Sequence, residues 1–585
     1  MANYNREKRK YVIGAVATGI VLIYIVRLFT LQIMSDDYKK NADSNAFLKK
    51  IQYPSRGVIT DRNGKLLVYN QPSYDIMVVM NEQQGVDTLD LCASLGITKE
   101  YYVRRMEEIK DRHRNPGYSR YTQQLFMSQL SSEEFCVFQE KLFRFPGFYV
   151  QRRSIRQYQS PYAALVLGDI GEVSPADVEE DEYYQNGDFI GKQGVERAYE
   201  KQLRGKKGIQ ILLRDARGRI KGRYMDGKLD TKTVPGKNLT LGLDLELQAL
   251  GERLMEGKLG SIVAIEPSTG EVLCMVSSPT YDPRMMVGRQ RGKNHLALSR
   301  NPLKPLLNRS IMGQYPPGST FKIVTLATAL EDGVASEDTV FSSPGTMDIG
   351  NAPVTNYANE SYGTISLQQA FAVSSNVVFG QVANEIGASS LVQFANAFGY
   401  GQKLGQDLTS AASIMADPSL MTEWETAWAG AGQPVGMDHT PGPQTTVMQS
   451  CVIAAAIANS GVVMDPFFVS QILAPDGTVV KTTQSRSLGQ AVSSATADQV
   501  KQAMLAVVQS GTGTDAQIPG VKVAGKTGSP ETGGTNVNST FVGFAPYDSP
   551  TVAISVALED YDKHDVKAAK IAGIVLTAAL AAQGA

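Results

Sequence analysis

Residues Tyr11 to Val26 are almost wholly apolar, and Leu28 to Met34 extend the run past Arg27. As a helix, residues 11–34 are long enough to span a bilayer, with Arg27 snorkelling toward an edge or facing a partner helix. Arg6, Lys8, Arg9 and Lys10 precede the run; Asp36 and Asp37 follow it, with Lys39 and Lys40 softening the contrast. The positive-inside rule places residues 1–10 in the cytoplasm and everything after the span outside. No small-x-small cleavage site follows, so an uncleaved anchor is expected rather than a signal peptide. A late apolar run, Ile571 to Ala582, is too short to span and reads as a buried helix.

The 585 residues exceed what one hydrophobic core serves, so two or more domains are expected. Apolar content of 43% and charged content of 20% are those of a folded protein. A formal net charge of −1 argues against nucleic acid, and no dinucleotide-binding or phosphate-loop glycine pattern is present. The four cysteines (Cys92, Cys136, Cys274, Cys451) and four histidines (His113, His295, His439, His564) have no zinc-ligand spacing. Cys274 and Cys451 read as small buried hydrophobes; Cys92 and Cys136 are open to pairing in an exported chain.

After the span, Asn63-Gly64 between Val58-Ile59 and Leu66-Leu67-Val68 is a hairpin signal. Residues 85–150 turn charged, aromatic and helix-like, as in Glu100 to Arg112 and Ser132 to Phe143, and read as a head inserted in a first domain spanning 35–235. Gly205 to Lys237 suggests a strand pair leading to a boundary near Pro235-Gly236. From 236 to 585 the pattern is mixed α and β. Asp244 is a candidate N-cap for a helix through Glu256. Ser261–Glu266 and Glu271–Ser277 flank the turn Pro267-Ser268-Thr269-Gly270. Val521–Ala524, Thr540–Ala545 and Val552–Leu558 read as three more strands, and a helix from about Val566 closes the chain. Five antiparallel strands from two distant stretches would thus form one sheet flanked by helices, an α+β arrangement.

Three short motifs carry chemistry. Pro316-Pro317-Gly318 breaks the chain before Ser319, and a helical run, Phe321 to Glu331, follows. A serine at a helix start sits where free N–H groups stabilise developing negative charge. Lys322 lies one turn on, and a buried lysine near other cations has a lowered pKa and can accept the serine proton. Alone, Ser-x-x-Lys arises by chance about once or twice in a chain this long. Ser374-Ser375-Asn376 follows 55 residues after Ser319. Ser374 could shuttle a proton, and Asn376 could hold Lys322 and a substrate amide. Lys526-Thr527-Gly528 comes 152 residues after Ser374, at the end of the strand-like Val521 to Gly525. It offers a positive charge, a hydroxyl for a carboxylate, and a bare backbone for close approach.

The three in this order are far more specific than any one. With Tyr315-Pro316-Pro317-Gly318-Ser319-Thr320-Phe321-Lys322, they make the chain resemble the class B penicillin-binding proteins, in the elongation-type penicillin-binding protein 2 subgroup. Arg56-Gly57 through Asp61-Arg62-Asn63-Gly64, and Gly194-Val195-Glu196-Arg197 with Leu203-Arg204-Gly205, are similar to that family's pedestal motifs. The resemblance is weakest over 85–150. It implies an extended, dimerisation-like pedestal followed by a penicillin-binding transpeptidase domain. It also implies peptidoglycan cross-linking through an acyl-enzyme on Ser319, with β-lactams as covalent inhibitors. Lys322 is then the base, Ser374 and Asn376 the relay and positioning pair, and Lys526, a catalytic cation, forms the carboxylate site with Thr527. Ser375, Thr527, Gly528 and Ser529 are expected to bind substrate, and the N–H groups of Ser319 and Ser529 to form the oxyanion hole.

The resemblance further implies inner-membrane anchoring, a periplasmic catalytic domain, and docking on a multispan glycan polymerase and other elongation-complex proteins. Arg27 and the head are the candidate contacts. No cofactor is expected. Some relatives bind zinc between the first two motifs, but residues 323–373 contain no His or Cys, so no metal is expected here. Members often read Lys-Thr-Gly-Thr-Ala; here Ser529-Pro530 follows Gly528, and Pro530 removes the next strand donor. Gly432-Gln433 to Gln444 resembles a further family segment and is assigned no catalytic role. A division-specific transpeptidase and a β-lactam sensor or hydrolase share the three motifs and stand as alternatives.

Overall fold

A computed structural model of the protein describes residues 4–29, 47–115, 118–214, 220–350, 352–433, 442–530, 537–562 and 566–584. Tyr4–Phe29 form one helix, of which Arg9–Phe29 are long and apolar enough to cross a membrane. Residues 30–34 of the expected span, with the acidic pair after it, lie outside the described residues.

The chain divides into two compact units. The smaller takes Met1–Ser55, Pro72–Arg153 and Gly205–Pro235. Phe47–Gln52 pair antiparallel with Gly208–Arg214, which pair in turn with Ile220–Arg223. The head contains the helices Thr88–Leu95, Lys99–Lys110 and Ser132–Lys141. Ser131 and Glu134 close the last one with a reciprocal capping box, which satisfies two otherwise orphan donors. The head has its own core, centred on Ile76, Leu91, Phe126, Phe138 and Phe145. Cys92 is buried there and Cys136 is exposed, both as free thiols.

The larger unit takes Arg56–Gln71, Ser154–Arg204 and Gly236–Ala585. Its hairpin forms as the sequence indicates. Ile59–Thr60 pair with Leu66–Val68, and Asp61 Oδ1 accepts from the Asn63 and Lys65 amides at 2.9 and 2.8 Å. Behind it lies a buried charge cluster. Arg56 donates to Glu196 at 2.7 Å and Glu200 at 2.6 Å, and Arg156 donates to Glu196 at 2.7 Å.

One sheet of this unit has five antiparallel strands: β1 (Gly260–Ile265), β2 (Val272–Ser278), β3 (Ala524–Gly528), β4 (Val537–Ala545) and β5 (Val552–Tyr561). Their order is β2-β1-β5-β4-β3, which places β3 at one end. The helices that matter are α1 (Leu245–Leu254), α2 (Lys322–Glu331), α3 (Leu367–Val373), α4 (Asn376–Ile386), α5 (Glu423–Gly430), α6 (Val447–Ala458), α7 (Ser494–Ser510) and α8 (Ala568–Ala582). Asp244 caps α1 by accepting from the Glu246 and Leu247 amides.

Helices cover both faces of the sheet, so β1 and β2 are buried along their whole length. Ile262 and Ala264 face the core shared with α1 and α8; Val263 and Ile265 face the core shared with α2, α6 and α7. Each fully buried Val, Ile or Leu contributes roughly 1.5–3 kcal/mol, which makes this sheet a stiff frame. Helix α8 is the expected buried helix at the C-terminus, with Ile571, Ala572, Val575 and Leu576 in the core.

One strand differs from its expected position. The sequence suggests a strand over Val521–Ala524 that ends at the Lys-Thr-Gly motif; the structure places Lys526-Thr527-Gly528 inside β3. Glycines weaken a strand pattern, yet β4 needs them. A Cβ at Gly525 would lie 2.3 Å from the Phe541 ring, and one at Gly528 would lie 2.4 Å from Thr540 Oγ1.

Candidate active site

Ser319 sits in the tight turn Gly318–Phe321 that feeds directly into α2. Its side chain is half-buried, and among the described residues its hydroxyl takes part in no hydrogen bond. The turn is held by bare backbone. Gly318 has φ +56° and donates its N–H to the Gly432 carbonyl at 2.8 Å. A Cβ on Gly432 would fall 1.9 Å from the Gly318 carbonyl oxygen, so only glycine admits this approach. Thr320 closes the turn by donating its hydroxyl to the Pro317 carbonyl at 2.7 Å.

Lys322, one turn on, is fully buried. Its Nζ donates to the Ser374 carbonyl at 2.7 Å, Asn376 Oδ1 at 2.7 Å and Ser374 Oγ at 3.2 Å. Burial, and then the nearby charge of Lys526, push its pKa well below that of an ordinary lysine. Its ammonium lies over the Phe379 ring, 5.6 Å from the centroid.

Ser374 occupies the junction of α3 and α4 at φ +63°, a left-handed conformation unusual for a residue with a side chain. That bend turns both its carbonyl and its hydroxyl toward Lys322. Asn376, the first residue of α4, is anchored on its other side by donating to the Thr355 carbonyl at 2.9 Å.

From β3, Lys526 Nζ donates to Ser374 Oγ at 2.9 Å and to the Thr527 carbonyl at 3.1 Å. Lys526 is also fully buried, and burial lowers its pKa to about 7. The Ser374 hydroxyl therefore lies between two buried amines. No carboxylate contacts either amine among the described residues, so nothing fixes them in the charged form.

Thr527 Oγ1 lies 2.5 Å from Thr512 Oγ1. Thr512, on the loop after α7, was not singled out by sequence; the Gly511-Thr512-Gly513 context is its only local signal. Gly432 gains a structural role it lacked, although residues 434–441 of that segment lie outside the described residues. Gly528 is buried against Pro317 and Thr320, and Ser529 is exposed just beyond the strand.

Ser375 departs from the expectation that it binds substrate. It is 1% exposed and caps α4 by accepting from the Val378 amide. Its hydroxyl also bonds to Ser343 Oγ at 2.8 Å and Asn356 Oδ1 at 3.1 Å. It pins the helix that carries Asn376 rather than facing the cleft.

Residues 260–579 match the penicillin binding protein transpeptidase domain model, and residues 51–241 match the penicillin-binding protein dimerisation domain model. The chain belongs to the penicillin-binding protein transpeptidase family. The peptidoglycan D,D-transpeptidase MrdA of Acinetobacter baumannii is 30% identical over 98% of this chain and 88% of its own length. The MrdA of Escherichia coli is 29% identical over 95% of this chain and 92% of its own. Among solved structures, the D,D-transpeptidase domain of a peptidoglycan glycosyltransferase from Eggerthella lenta is 31% identical, with a TM-score of 0.65 over 91% of this chain and all of that one. A penicillin-binding protein PBP2 from Helicobacter pylori, solved with MreC, shares the fold at a TM-score of 0.76 over 92% of this chain and 99% of that one, at 23% identity. In this chain the three motifs converge from α2, the α3–α4 junction and β3.

Proposed function

We propose that this chain is an elongation-type peptidoglycan D,D-transpeptidase working through an acyl-enzyme on Ser319. The observation that carries the reading is the pair of buried amines, Lys322 and Lys526, on either side of the Ser374 hydroxyl, with Lys322 one helical turn from Ser319.

Neutral Lys322 takes the Ser319 proton as Oγ attacks the carbonyl of the penultimate D-alanine of a stem peptide. The negative charge that develops on that oxygen meets the N–H groups of Ser319 and Ser529; such donors contribute roughly 3–4 kcal/mol each. The proton passes from Lys322 through Ser374 Oγ to the departing nitrogen. The C–N bond breaks and terminal D-alanine leaves. The amine of a neighbouring stem peptide then attacks the ester, regenerating Ser319 and forming the cross-link. Lys526, Thr527 and Thr512 form the site for the donor carboxylate. β-Lactams acylate the same serine, and their tethered leaving group stays in place. No step calls for a metal or cofactor.

The N-terminal helix anchors the chain in the inner membrane with residues 1–10 cytoplasmic and the catalytic unit periplasmic. The pedestal and head serve contacts with elongation-complex proteins, including a multispan glycan polymerase. The near full-length likeness to two MrdA proteins supports the elongation-type reading over a division-specific one.

The test incubates the detergent-solubilised full chain with a donor peptide ending in D-Ala-D-Ala and an amine acceptor. D-Alanine release with formation of the new amide is expected, and both are absent in Ser319→Ala. Hydrolysis alone, at saturating acceptor, would make the chain a carboxypeptidase. Multiple turnover of penicillin would make it a hydrolase.

A further inference from the structure

The segment after β3 contains a departure from the usual family sequence that the mechanism above leaves unused. Pro530 is buried, whereas Ser529 before it is exposed. A Cβ on Gly318 would lie 2.8 Å from Pro530 Cδ, 3.0 Å from its N and 3.2 Å from its Cβ. The pyrrolidine ring therefore rests on the Cα of Gly318, one residue before the nucleophile. The opposite edge of Gly318 is fixed by its bond to the Gly432 carbonyl. Pro530 is itself tied to β4, because its carbonyl accepts from the Asn538 amide at 3.2 Å.

We propose that Pro530 is a positioning residue for acyl transfer, setting the two oxyanion donors, the N–H groups of Ser319 and Ser529, against each other. This rests on the acyl-enzyme reading above. Two properties of proline act together. The ring confines the preceding residue to extended backbone, which restricts the φ of Ser529 and so the direction of its N–H. The same ring abuts Gly318, which fixes the turn carrying the Ser319 N–H relative to the end of β3. Proline also removes its own N–H, so the donor nearest the strand end is that of Ser529. Oxyanion donors act only within a few tenths of an ångström of their working distance, so one rigid residue touching both carriers is well placed to control the rate.

The experiment is stopped-flow acylation by a chromogenic β-lactam, separating the encounter constant K from the acylation rate constant k2. Pro530→Ala is expected to lower k2 by roughly 10- to 30-fold, with K changed less than about threefold, because ground-state binding does not use the oxyanion donors. Pro530→Val, which keeps apolar bulk and a preference for extended backbone, is expected to retain most of the rate, and Pro530→Gly to lose the most. A substrate with sulfur in place of the reacting carbonyl oxygen adds a readout that a bulk packing effect does not move. Wild type discriminates against it, and Pro530→Ala discriminates less, because poorly aimed donors distinguish oxygen from sulfur weakly. Full labelling stoichiometry certifies each variant as folded, and the Val and Gly variants carry the comparison if Pro530→Ala fails that check. Wild-type k2 in Pro530→Gly, equal losses in K and k2, or unchanged oxygen-to-sulfur discrimination would overturn the proposal. Labelling of Ser319→Ala would instead overturn the acyl-enzyme reading beneath it.

Discussion

The larger unit buries two clusters of charged side chains, and they are built on opposite rules. Around Glu196, cations meet anions. Burial lowers the Arg56 pKa, but Glu196 and Glu200 outweigh it, so the guanidinium ends above its ordinary value. Burial likewise raises Glu196, and Arg156 and Arg56 override it, leaving the carboxylate below its usual range. Around Ser374, two lysines are buried with one hydroxyl, two carbonyls and an amide, and with no acid among the described residues. Both lose their charge more readily than a lysine in water. Paired charge fixes protonation and holds segments from distant parts of the chain together. Unpaired charge yields protonation to its surroundings, which is what a general base at neutral pH requires.

The contrast breaks most severely at Lys322. Replacing it with Met removes the proposed base but fills the same apolar space. Acylation by penicillin is expected to fall by at least about 10³-fold. The melting temperature should hold or rise, since a buried amine is exchanged for a thioether. A large fall in melting temperature would assign Lys322 a structural role. The opposite outcome is expected at the paired cluster. Glu196→Ala strips the buried Arg156 guanidinium of its carboxylate partner and leaves Arg56 only Glu200, and should destabilise the larger unit by about 3–5 kcal/mol in chemical denaturation. The fraction that remains folded should still bind penicillin normally.

Lys526→Gln sharpens the electrostatic part of the comparison. Below about pH 7, Lys526 is protonated and its charge helps hold Lys322 neutral. Without it the Lys322 pKa rises, so the acid limb of the acylation profile should move to higher pH. The loss should therefore be larger at pH 6 than at pH 9, roughly 10- to 100-fold at the acid end. A uniform loss across that range would show that the hydrogen bond to Ser374, not the charge, matters. The smallest effect belongs to Ser375→Ala. It removes an N-cap and leaves part of the Asn356 network unpaired, a destabilisation of about 1–2 kcal/mol by denaturant titration. Its catalytic effect should stay below about tenfold, because the side chain faces away from the cleft.

Local chemistry was readable where the residues that determine it are neighbours. The Asn63-Gly64 hairpin, the Asp244 cap, the break before Ser319 and the apolar N-terminal helix all depend on runs of a few residues. What escaped was non-local. Phe47–Gln52 pair with a strand some 160 residues away, and residues 56–71 and 154–204 join the larger unit across a long separation. The strand carrying Lys526 is not legible in its own pattern, because its glycines are dictated by Phe541 and Thr540 on β4. Thr512 and Gly432 carry generic residue types, and only the fold brings them to Thr527 and Gly318. A tripeptide alone does not reveal that it is the Ser375 side chain that turns inward.

On the proposed mechanism, buried amines without a carboxylate partner make Ser319 the nucleophile. The most direct test is mass mapping of the full chain after exposure to penicillin at neutral pH. One adduct per chain is expected, on the peptide carrying Ser319, and none in Ser319→Ala. An equal adduct in that variant, or one on a different residue of the wild type, would contradict that mechanism.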